Sequence, residues 1–260
     1  MSNFINELFN LNDKVAVITG AGGHLCSEMA KGLAKVGCKV VVIDIRKEKA
    51  EQVANEIKNN IGVDTLAIQA NASNRVEVNK SLEKTLNHFK KVDILINGAG
   101  INSPTPFLEI ELEEYNEVMN SQITSTLVCS QVFGKHMLDM SEGNIINISS
   151  ASAGPPLSKA FTYSIAKAGI LNLTQNLGRE WGTKGVRVNA IRPGFFPTEW
   201  NKKNFITKER ENSILNHTPM KRFGEVSELV GGIIYLASNA SSFVTGSELT
   251  VDGGFSAMTV

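Results

Sequence analysis

The chain has 260 residues, of which 42% are hydrophobic and 20% charged, a composition typical of a folded globular protein with a sizeable core. Lysine plus arginine equals aspartate plus glutamate at 26 each, so no net charge favours nucleic acid or an anionic membrane as a partner. The three cysteines, Cys26, Cys38 and Cys129, form no C-x-x-C pair, which argues against a disulfide framework and a zinc site. No signal-like start and no apolar run of ~20 residues is present, so we expect a cytoplasmic protein without a metal.

Short apolar, partly β-branched runs alternate along the chain with segments of helical periodicity. The predicted strands cover residues 15–18, 40–43, 65–68, 94–96, 145–148, 186–191 and 248–251. The predicted helices cover residues 25–36, 47–58, 76–89, 112–140, 162–181 and 225–237. Apolar strands separated by helices indicate an α/β fold, a single doubly wound domain over residues 1–260 with a parallel sheet covered on both faces. The polar and aromatic region 195–220 interrupts the alternation and is predicted to be a small lid-like insertion before the last strand.

A glycine-rich turn from Thr19 to Leu25 separates the first predicted strand from its helix. Glycines there let the backbone approach a pyrophosphate, and the helix N-terminus offers free N–H groups, although methyltransferases also use such turns. Asp44 ends the second predicted strand, roughly 20 residues further on, where an acid accepts hydrogen bonds from the adenosine ribose. Its carboxylate repels a 2′-phosphate and favours NAD, with NADP as the alternative. Arg46 could meet such a phosphate, but a solvated arginine at a helix start is the simpler interpretation.

Tyr163 and Lys167 lie four residues apart on one face of a predicted helix. A free tyrosine has a pKa of ~10 and is a poor base at neutral pH, but a neighbouring ammonium favours the phenolate. Ser150 ends the preceding predicted strand, where its hydroxyl could hydrogen-bond a substrate oxygen as charge develops on it. The three residues together suit proton transfer to or from an alcohol or ketone.

From Lys14 to about Phe255 the chain resembles the short-chain dehydrogenase/reductase family, whose members are Rossmann-type NAD(P)-dependent oxidoreductases acting on CH–OH groups. The matching features are Thr19-Gly20, Asp44, Asn97-Gly98-Ala99-Gly100, Ser150, Tyr163, Lys167, Pro193-Gly194 with Thr198, and Val251-Asp252-Gly253-Gly254. Thirteen positions separate Ser150 from Tyr163, which also fits the family. The turn ending in Leu25-Cys26 and the stretch after Pro193 are similar to those of mannonate, fructuronate and gluconate oxidoreductases.

The resemblance implies a role for each matching residue. Tyr163 would be the general acid/base, Ser150 would polarise the substrate oxygen, and Lys167 would bind the nicotinamide ribose and lower the pKa of Tyr163. The implied cofactor contacts are Gly20, Gly22, His24, Leu25, Asp44, Ile45, Asn71, Ala72, Asn97, Gly98, Ala99, Tyr163, Lys167, Pro193, Gly194, Phe196 and Thr198. The implied substrate contacts are Asn102, Ser150, Ser152, Tyr163 and Trp200.

Four positions depart from the family pattern. His24 and Cys26 replace two glycines of the turn, where Gly22 and Gly23 supply the flexibility and Cys26 is expected to be a packing residue. Gln122 stands where the family has a catalytic asparagine that holds a relay water for the lysine, and Asn120 is a possible substitute in another register. Asn71 replaces an aspartate beside the adenine, and its carbonyl can still accept a hydrogen bond there.

The predicted substrate-facing segments are rich in amides, hydroxyls and lysines and poor in large apolar residues. This disfavours a steroid or an acyl chain and favours a sugar, sugar acid or polyol. Two alternatives are a dinucleotide-binding sensor or scaffold with weakened catalysis, and an NADPH-dependent ketoacyl-type reductase. Family members are commonly tetramers, so we expect a homo-oligomer, with the apolar tail from Phe255 to Val260 packing on a neighbouring subunit.

Overall fold

The computed structural model describes residues 2–198 and 206–258. Its strands are Val15–Thr19 (β1), Lys39–Asp44 (β2), Thr65–Gln69 (β3), Ile94–Asn97 (β4), Gly143–Ile148 (β5), Val186–Pro193 (β6) and Glu248–Val251 (β7). Its α-helices are Ser2–Phe9 (α1), His24–Lys35 (α2), Lys47–Ile61 (α3), Arg75–Phe89 (α4), Leu112–Met119 (α5), Ser125–Asp139 (α6), Phe161–Trp181 (α7), Lys208–Asn216 (α8) and Val230–Ala237 (α9). Each predicted strand and helix is therefore present, with ends that differ by a few residues.

The strands form one seven-stranded parallel sheet in the order β3-β2-β1-β4-β5-β6-β7. The central strands are buried along their whole length, which is why their sequences are almost continuously apolar. Two apolar clusters cover the two faces of the sheet, one including Leu33 of α2 and Ile233 of α9, the other including Phe133 of α6 and Trp181 of α7. The predicted fold class, a doubly wound α/β domain, is confirmed.

The strand order reverses at β1, whose two neighbours are β2 and β4. In open parallel sheets, ligands bind in the crevice that opens at the carboxyl ends of the strands on either side of such a reversal. The glycine-rich turn after β1 and the segment after β4 therefore face each other across this crevice.

Three local features differ from the sequence-based expectation. Helices α1 and α8 were not predicted. Each has fewer than ten residues, and α8 also lacks a marked apolar face, so neither gives a clear helical pattern in the sequence. The long stretch 112–140 is helical throughout but passes through a π-helical turn, Asn120–Thr124, between α5 and α6. Helix α9 begins later than predicted, because Val226–Leu229 forms a 3₁₀ turn held by reciprocal hydrogen bonds between Glu225 and Glu228. Among the described residues, no helix is both long and apolar enough to cross a membrane.

Two helical glycines should respond in opposite ways to an added methyl group. A β-carbon on Gly178 in α7 would lie 2.6 Å from the backbone Cα of Gly246, whereas one on Gly231 in α9 would meet no atom within 4 Å. Gly178→Ala should lower the free energy of unfolding by about 1–3 kcal/mol through overpacking. Gly231→Ala should raise it by up to about 1 kcal/mol through helix propensity. Denaturant titration of both variants tests this, and equal shifts would contradict the close packing of α7 on the loop before β7.

Candidate active site

The glycine-rich turn after β1 and the segment after β4 form two walls of the crevice, and Thr19 and Gly20 join them. The Thr19 hydroxyl accepts hydrogen bonds from the backbone N–H groups of Gly98 at 3.1 Å and Ala99 at 3.3 Å. Gly20 has a φ of +65°, and a β-carbon there would lie 2.8 Å from the Cα of Ala99. Only glycine combines this conformation with so close an approach of two backbones.

Helix α2 begins directly behind the turn and presents its N-terminus to the crevice. Gly23 precedes the helix, and no side chain caps the helix N-terminus. The first-turn N–H groups are thus left for an external acceptor, which together with the helix dipole suits a phosphate. His24 is exposed and Leu25 is half-buried at the first two helical positions.

Asp44 lies at the carboxyl end of β2 with only 4% of its surface exposed. Its Oδ2 accepts a hydrogen bond from the backbone N–H of Gly22 at 3.0 Å. Its Oδ1 accepts from the backbone N–H and from the Nε of Arg46, at 3.0 and 3.1 Å. Arg46 is exposed at the start of α3, as the simpler interpretation predicted, and its guanidinium is in addition paired with the acid.

The adenine end of the predicted site lies after β2 and β3. Ile45 is 60% exposed and Ala72 is buried. The Asn71 Oδ1 already accepts hydrogen bonds from the backbone N–H of Ser73 at 3.0 Å and from its hydroxyl at 2.8 Å. An adenine amino group would have to compete with Ser73 for that oxygen, so the predicted Asn71 contact stays a prediction.

A buried network of polar side chains holds the end of β4, where the segment lining the crevice begins. The Asn97 Nδ2 donates to Asn147 Oδ1 at 2.8 Å and lies 3.1 Å from the hydroxyl of Ser130. Asn147 in turn donates to Thr174 of α7 at 2.8 Å. Asn147 and Thr174 were missed from the sequence, although an asparagine within the apolar run of β5 was a signal that could have identified the first.

Lys167 and Tyr163 project from the first turns of α7 toward the end of β5. The Lys167 side chain is 4% exposed, and its Nζ donates a hydrogen bond to the backbone carbonyl of Ile148 at 2.6 Å. The same Nζ lies 5.3 Å from the centroid of the Tyr163 ring. Ser150, two residues beyond Ile148, lies close enough to Tyr163 to lower the pKa of its phenol. The structure thus brings together the three residues that the sequence singled out as a catalytic group.

Burial dominates the electrostatics of this group. It raises the pKa of Tyr163, and the interaction with Ser150 opposes that rise. Burial also lowers the pKa of Lys167, to about 8. The expected lowering of the Tyr163 pKa by Lys167 stays a prediction.

Gln122 lies in the π-helical turn and is 2% exposed. Its Nε2 donates to the backbone carbonyl of Ile101 at 2.8 Å, and its carboxamide packs against the Cα of Gly100. Its backbone carbonyl accepts hydrogen bonds from the hydroxyls of Ser125 and Thr126. Its Oε1 has no hydrogen-bond partner among the described residues.

Asn120 and Gln122, the two residues considered for the asparagine role, occupy different environments. Asn120 is exposed and donates to the hydroxyl of Ser73 at 3.0 Å, on the side of α4. Gln122 is buried and reaches the loop after β4. The geometry therefore favours Gln122 over Asn120 as the residue that faces the crevice.

The segment after β6 forms the far wall of the crevice. Pro193 is buried, and the backbone N–H of Gly194 donates to the carbonyl of Val251 at 3.0 Å. Phe196 is half-buried against the α2 and α9 face of the sheet. Thr198 is the last residue described before the gap, and Trp200 lies outside the described residues.

Substrate-facing positions differ in how open they are. Asn102 is exposed on the loop after β4. Ser152 is 3% exposed, and both its backbone N–H and its hydroxyl donate to the Ser150 hydroxyl. Beyond the gap, the predicted lid contains helix α8, whose Arg210 donates to the hydroxyl of Ser158 at 3.1 Å. The tail residue Phe255, which was expected to pack on a neighbouring subunit, is instead buried in its own chain against Phe195.

These features fit a dinucleotide. The backbone approach at Gly20, the uncapped N-terminus of α2 and the buried carboxylate of Asp44 form a continuous cradle at the strand-order reversal. Ser150, Tyr163 and Lys167 lie near the carboxyl end of β5, which pairs with β4. They are therefore on the opposite side of β1 from Asp44.

Comparison with known proteins agrees with this geometry. Residues 20–256 match the family model described as enoyl-(acyl carrier protein) reductase. The chain is 40% identical over 269 residues to the uncharacterised oxidoreductase UxuB of Bacillus subtilis, covering 95% of this chain and 96% of that protein.

Two solved structures are similar over nearly the whole chain. A candidate D-mannonate oxidoreductase from Haemophilus influenza with bound NAD has a TM-score of 0.91 and 39% identity, covering 96% of this chain and 97% of that one. A gluconate 5-dehydrogenase from Burkholderia cenocepacia in complex with NADP and tartrate has a TM-score of 0.93 and 29% identity, covering 98% and 100%. The chain belongs to the short-chain dehydrogenase/reductase family, and it is an oxidoreductase that uses a nicotinamide dinucleotide and acts on CH–OH groups.

The three cysteines should be chemically inert in the folded protein. Cys26, Cys38 and Cys129 are buried, and burial raises the pKa of each thiol to about 12. Titration of the native protein with a thiol-specific reagent at pH 8 should detect no thiol, while the denatured chain should react at all 3 cysteines. Rapid modification of Cys26 in the native protein would contradict its packing against Gly98.

Proposed function

We propose that this protein is an NAD-dependent oxidoreductase that transfers a hydride between nicotinamide and a secondary alcohol or ketone of a sugar, sugar acid or polyol. The observation that carries this proposal is the cluster of Ser150, Tyr163 and Lys167 beside the dinucleotide cradle. When bound, the nicotinamide ring accepts or supplies the hydride at carbon. The residues of the chain bind and orient both molecules and move the proton.

Tyr163 is the proposed general acid/base. In alcohol oxidation its phenolate oxygen takes the proton of the substrate hydroxyl, and in ketone reduction its hydroxyl returns that proton. Ser150 donates a hydrogen bond to the substrate oxygen and stabilises the negative charge that develops there. Lys167, fixed by the carbonyl of Ile148, hydrogen-bonds the ribose of the nicotinamide and supplies positive charge beside the phenolate.

Gln122 is the proposed link between Lys167 and solvent. Its Nε2 and its backbone carbonyl are engaged by Ile101, Ser125 and Thr126, so Oε1 is the acceptor that remains for a water molecule. A water bound there could pass protons to Lys167, whose pKa of about 8 suits exchange near neutral pH. The additional methylene of glutamine, relative to asparagine, is accommodated by the absence of a side chain at Gly100.

The proposed cofactor contacts follow the walls of the crevice. Gly20 and Gly22 of the turn, with His24 and Leu25 at the start of α2, would hold the pyrophosphate, and Asp44 would bind the adenosine ribose. The remaining contacts proposed along the cofactor are Ile45, Asn71, Ala72, Asn97, Gly98, Ala99, Pro193, Gly194, Phe196 and Thr198.

Two observations support the proposed substrate class: the polar side chains at the predicted substrate site and the substrates for which similar proteins are named. Asn102 and Ser150 would offer an amide and a hydroxyl to the substrate, which suits a polyhydroxylated molecule. The Haemophilus relative is named for mannonate and the Burkholderia relative for gluconate, and the latter was solved with tartrate, a hydroxy acid. We further propose that region 195–220 is a lid over the substrate, with the contact of Arg210 on Ser158 joining α8 to the loop before α7.

A homo-oligomer is proposed from the exposed apolar surface near the starts of α5 and α7. Leu108 is 95% exposed, Leu112 72% and Phe161 45%. The ring of Phe161 lies 5.3 Å from that of Phe107, so these side chains form one surface patch. Contiguous exposed apolar patches of this kind are typical of protein–protein interaction sites.

The proposed activity is tested by an NAD(H)-coupled screen of sugars, sugar acids and polyols. Wild-type protein should turn over at least one sugar acid or polyol, and Tyr163→Phe should reduce kcat by about 10²-fold or more, because the proton-transfer group is lost. Calorimetry should show that Tyr163→Phe still binds NAD. Tyr235→Phe, a tyrosine of α9 away from the crevice, is the matched control and should retain activity.

Two results of this screen would oppose the proposal. Persistent turnover by Tyr163→Phe would reject the acid/base role. NAD binding without turnover of any substrate by the wild-type protein would favour a dinucleotide sensor instead.

Cofactor preference is tested by comparing NADH with NADPH in the same reaction. The wild-type kcat/KM should be higher with NADH, because the Asp44 carboxylate repels a 2′-phosphate. Asp44→Asn should reduce the NADH-to-NADPH ratio by about 10-fold, equivalent to ~1.4 kcal/mol. Asp64→Asn, at the opposite end of the sheet, is the control and should leave the ratio unchanged. A wild-type preference for NADPH would assign the 2′-phosphate to Arg46 and overturn the NAD proposal.

A further inference from the structure

The Ser150 hydroxyl is held by a second serine, Ser152, which the family resemblance assigned only to substrate binding. Ser152 lies in the 3₁₀ turn Ala151–Ala153, directly after Ser150, and is 3% exposed. Its backbone N–H donates to Ser150 Oγ at 3.2 Å, and its hydroxyl donates to the same oxygen at 3.1 Å. The turn itself is closed by a hydrogen bond from the N–H of Ala153 to the carbonyl of Ser150 at 2.9 Å.

The two hydrogen bonds that the Ser150 oxygen accepts limit the further hydrogen bonds that this hydroxyl can make. A serine hydroxyl has two acceptor lone pairs and one proton to donate. Ser152 supplies donors to both lone pairs of Ser150, so the remaining capacity of Ser150 is its own proton. That proton is then available for the phenol oxygen of Tyr163 or for a substrate oxygen in the crevice.

We propose that Ser152 is a positioning residue, which fixes the Ser150 hydroxyl as a hydrogen-bond donor toward Tyr163 and the substrate oxygen. This inference rests on the proposed function and refines the expectation that Ser152 contacts substrate. Its hydroxyl is directed at Ser150, and its near-complete burial leaves little of it for a ligand.

A consequence for the ionisation of Tyr163 follows from the direction of this hydrogen bond. A donor on the phenol oxygen stabilises the phenolate and lowers the pKa of Tyr163, which opposes the rise caused by burial. Without the Ser152 hydroxyl, one lone pair of Ser150 becomes free to accept from the neutral phenol. That arrangement favours the protonated form, so the pKa of Tyr163 rises.

The other ionisable groups facing Tyr163 do not depend on Ser152. Among the described residues they are Lys167, one turn further along α7, and the thiol of Cys26 on α2. Ser152→Ala changes the charge of neither. A shift in the titration of Tyr163 in this variant would therefore report the lost hydroxyl rather than a new charge.

The first test compares Ser152→Ala with wild type in alcohol oxidation, which requires the phenolate. We expect kcat to fall about 2- to 10-fold, the range given by the loss of one hydrogen bond. The acid limb of the kcat–pH profile should move to higher pH, because more hydroxide is needed to form the phenolate. Ser152→Thr, which retains a hydroxyl, should restore the profile toward wild type.

A matched control separates positioning from simple loss of packing. Ser81 of α4 is 1% exposed, and its hydroxyl donates to the carbonyl of Glu77 at 2.8 Å, remote from the crevice. Ser81→Ala removes a buried hydroxyl in the same way and should alter thermal stability without altering the pH profile. If Ser152→Ala behaves like Ser81→Ala, with a changed melting temperature and an unchanged profile, Ser152 is only structural and the inference is wrong.

A second measurement does not require turnover and keeps this inference separate from the proposed function. Tyrosinate absorbance is recorded during alkaline titration of each protein and of its Tyr163→Phe partner, and the difference gives the ionisation of Tyr163 alone. Tyr163 should ionise at higher pH in Ser152→Ala than in wild type. Inactive wild-type protein with this shift would reject the proposed reaction but support the hydroxyl arrangement, and an unshifted titration would reject the arrangement whatever the activity.

Discussion

A buried ammonium group in a folded protein must have hydrogen-bond partners, and the one on Lys167 determines how the active site is assembled. Its hydrogen bond to the carbonyl of Ile148 joins the start of α7 to the end of β5. Because Tyr163 lies one helical turn before Lys167 and Ser150 lies two residues after Ile148, the same bond brings phenol and hydroxyl together. The cost of burying the charge appears as the lowered pKa of Lys167, about 8.

The dinucleotide side of the crevice depends on a different constraint, the close approach of two backbones. Gly20 and Ala99 are in contact because the residue after β1 has no side chain, and the hydroxyl of Thr19 holds the opposite wall in place. Asp44 adds a second connection, since its carboxylate binds the N–H of Gly22 in the turn. The acid proposed to select the ribose therefore also shapes the turn that would hold the phosphates.

Two departures from the family pattern are accommodated by glycines in the segment after β4. Gln122 has a longer side chain than asparagine, and it fits because Gly100 provides the space and Ile101 a carbonyl to bind. Cys26 occupies a glycine position of the turn and packs against Gly98 on the other side of the crevice. In both cases a residue without a side chain faces the larger residue.

Periodicity and apolar runs in the sequence were sufficient for the order of the strands and helices, because a fully buried parallel strand and an amphipathic helix each impose a local pattern. The sequence also identified Tyr163, Lys167, Ser150 and Asp44, since their spacing relative to those elements is local information. Local pattern could not determine the partner of each polar group. The hydrogen bond from Gly22 to Asp44, the hydrogen bond from Gln122 to Ile101 and the raised pKa of Tyr163 depend on desolvation and on contacts between segments that are separated in the chain. Only the tertiary structure decided these, because burial and hydrogen-bond geometry arise when β2, β5 and α7 pack together.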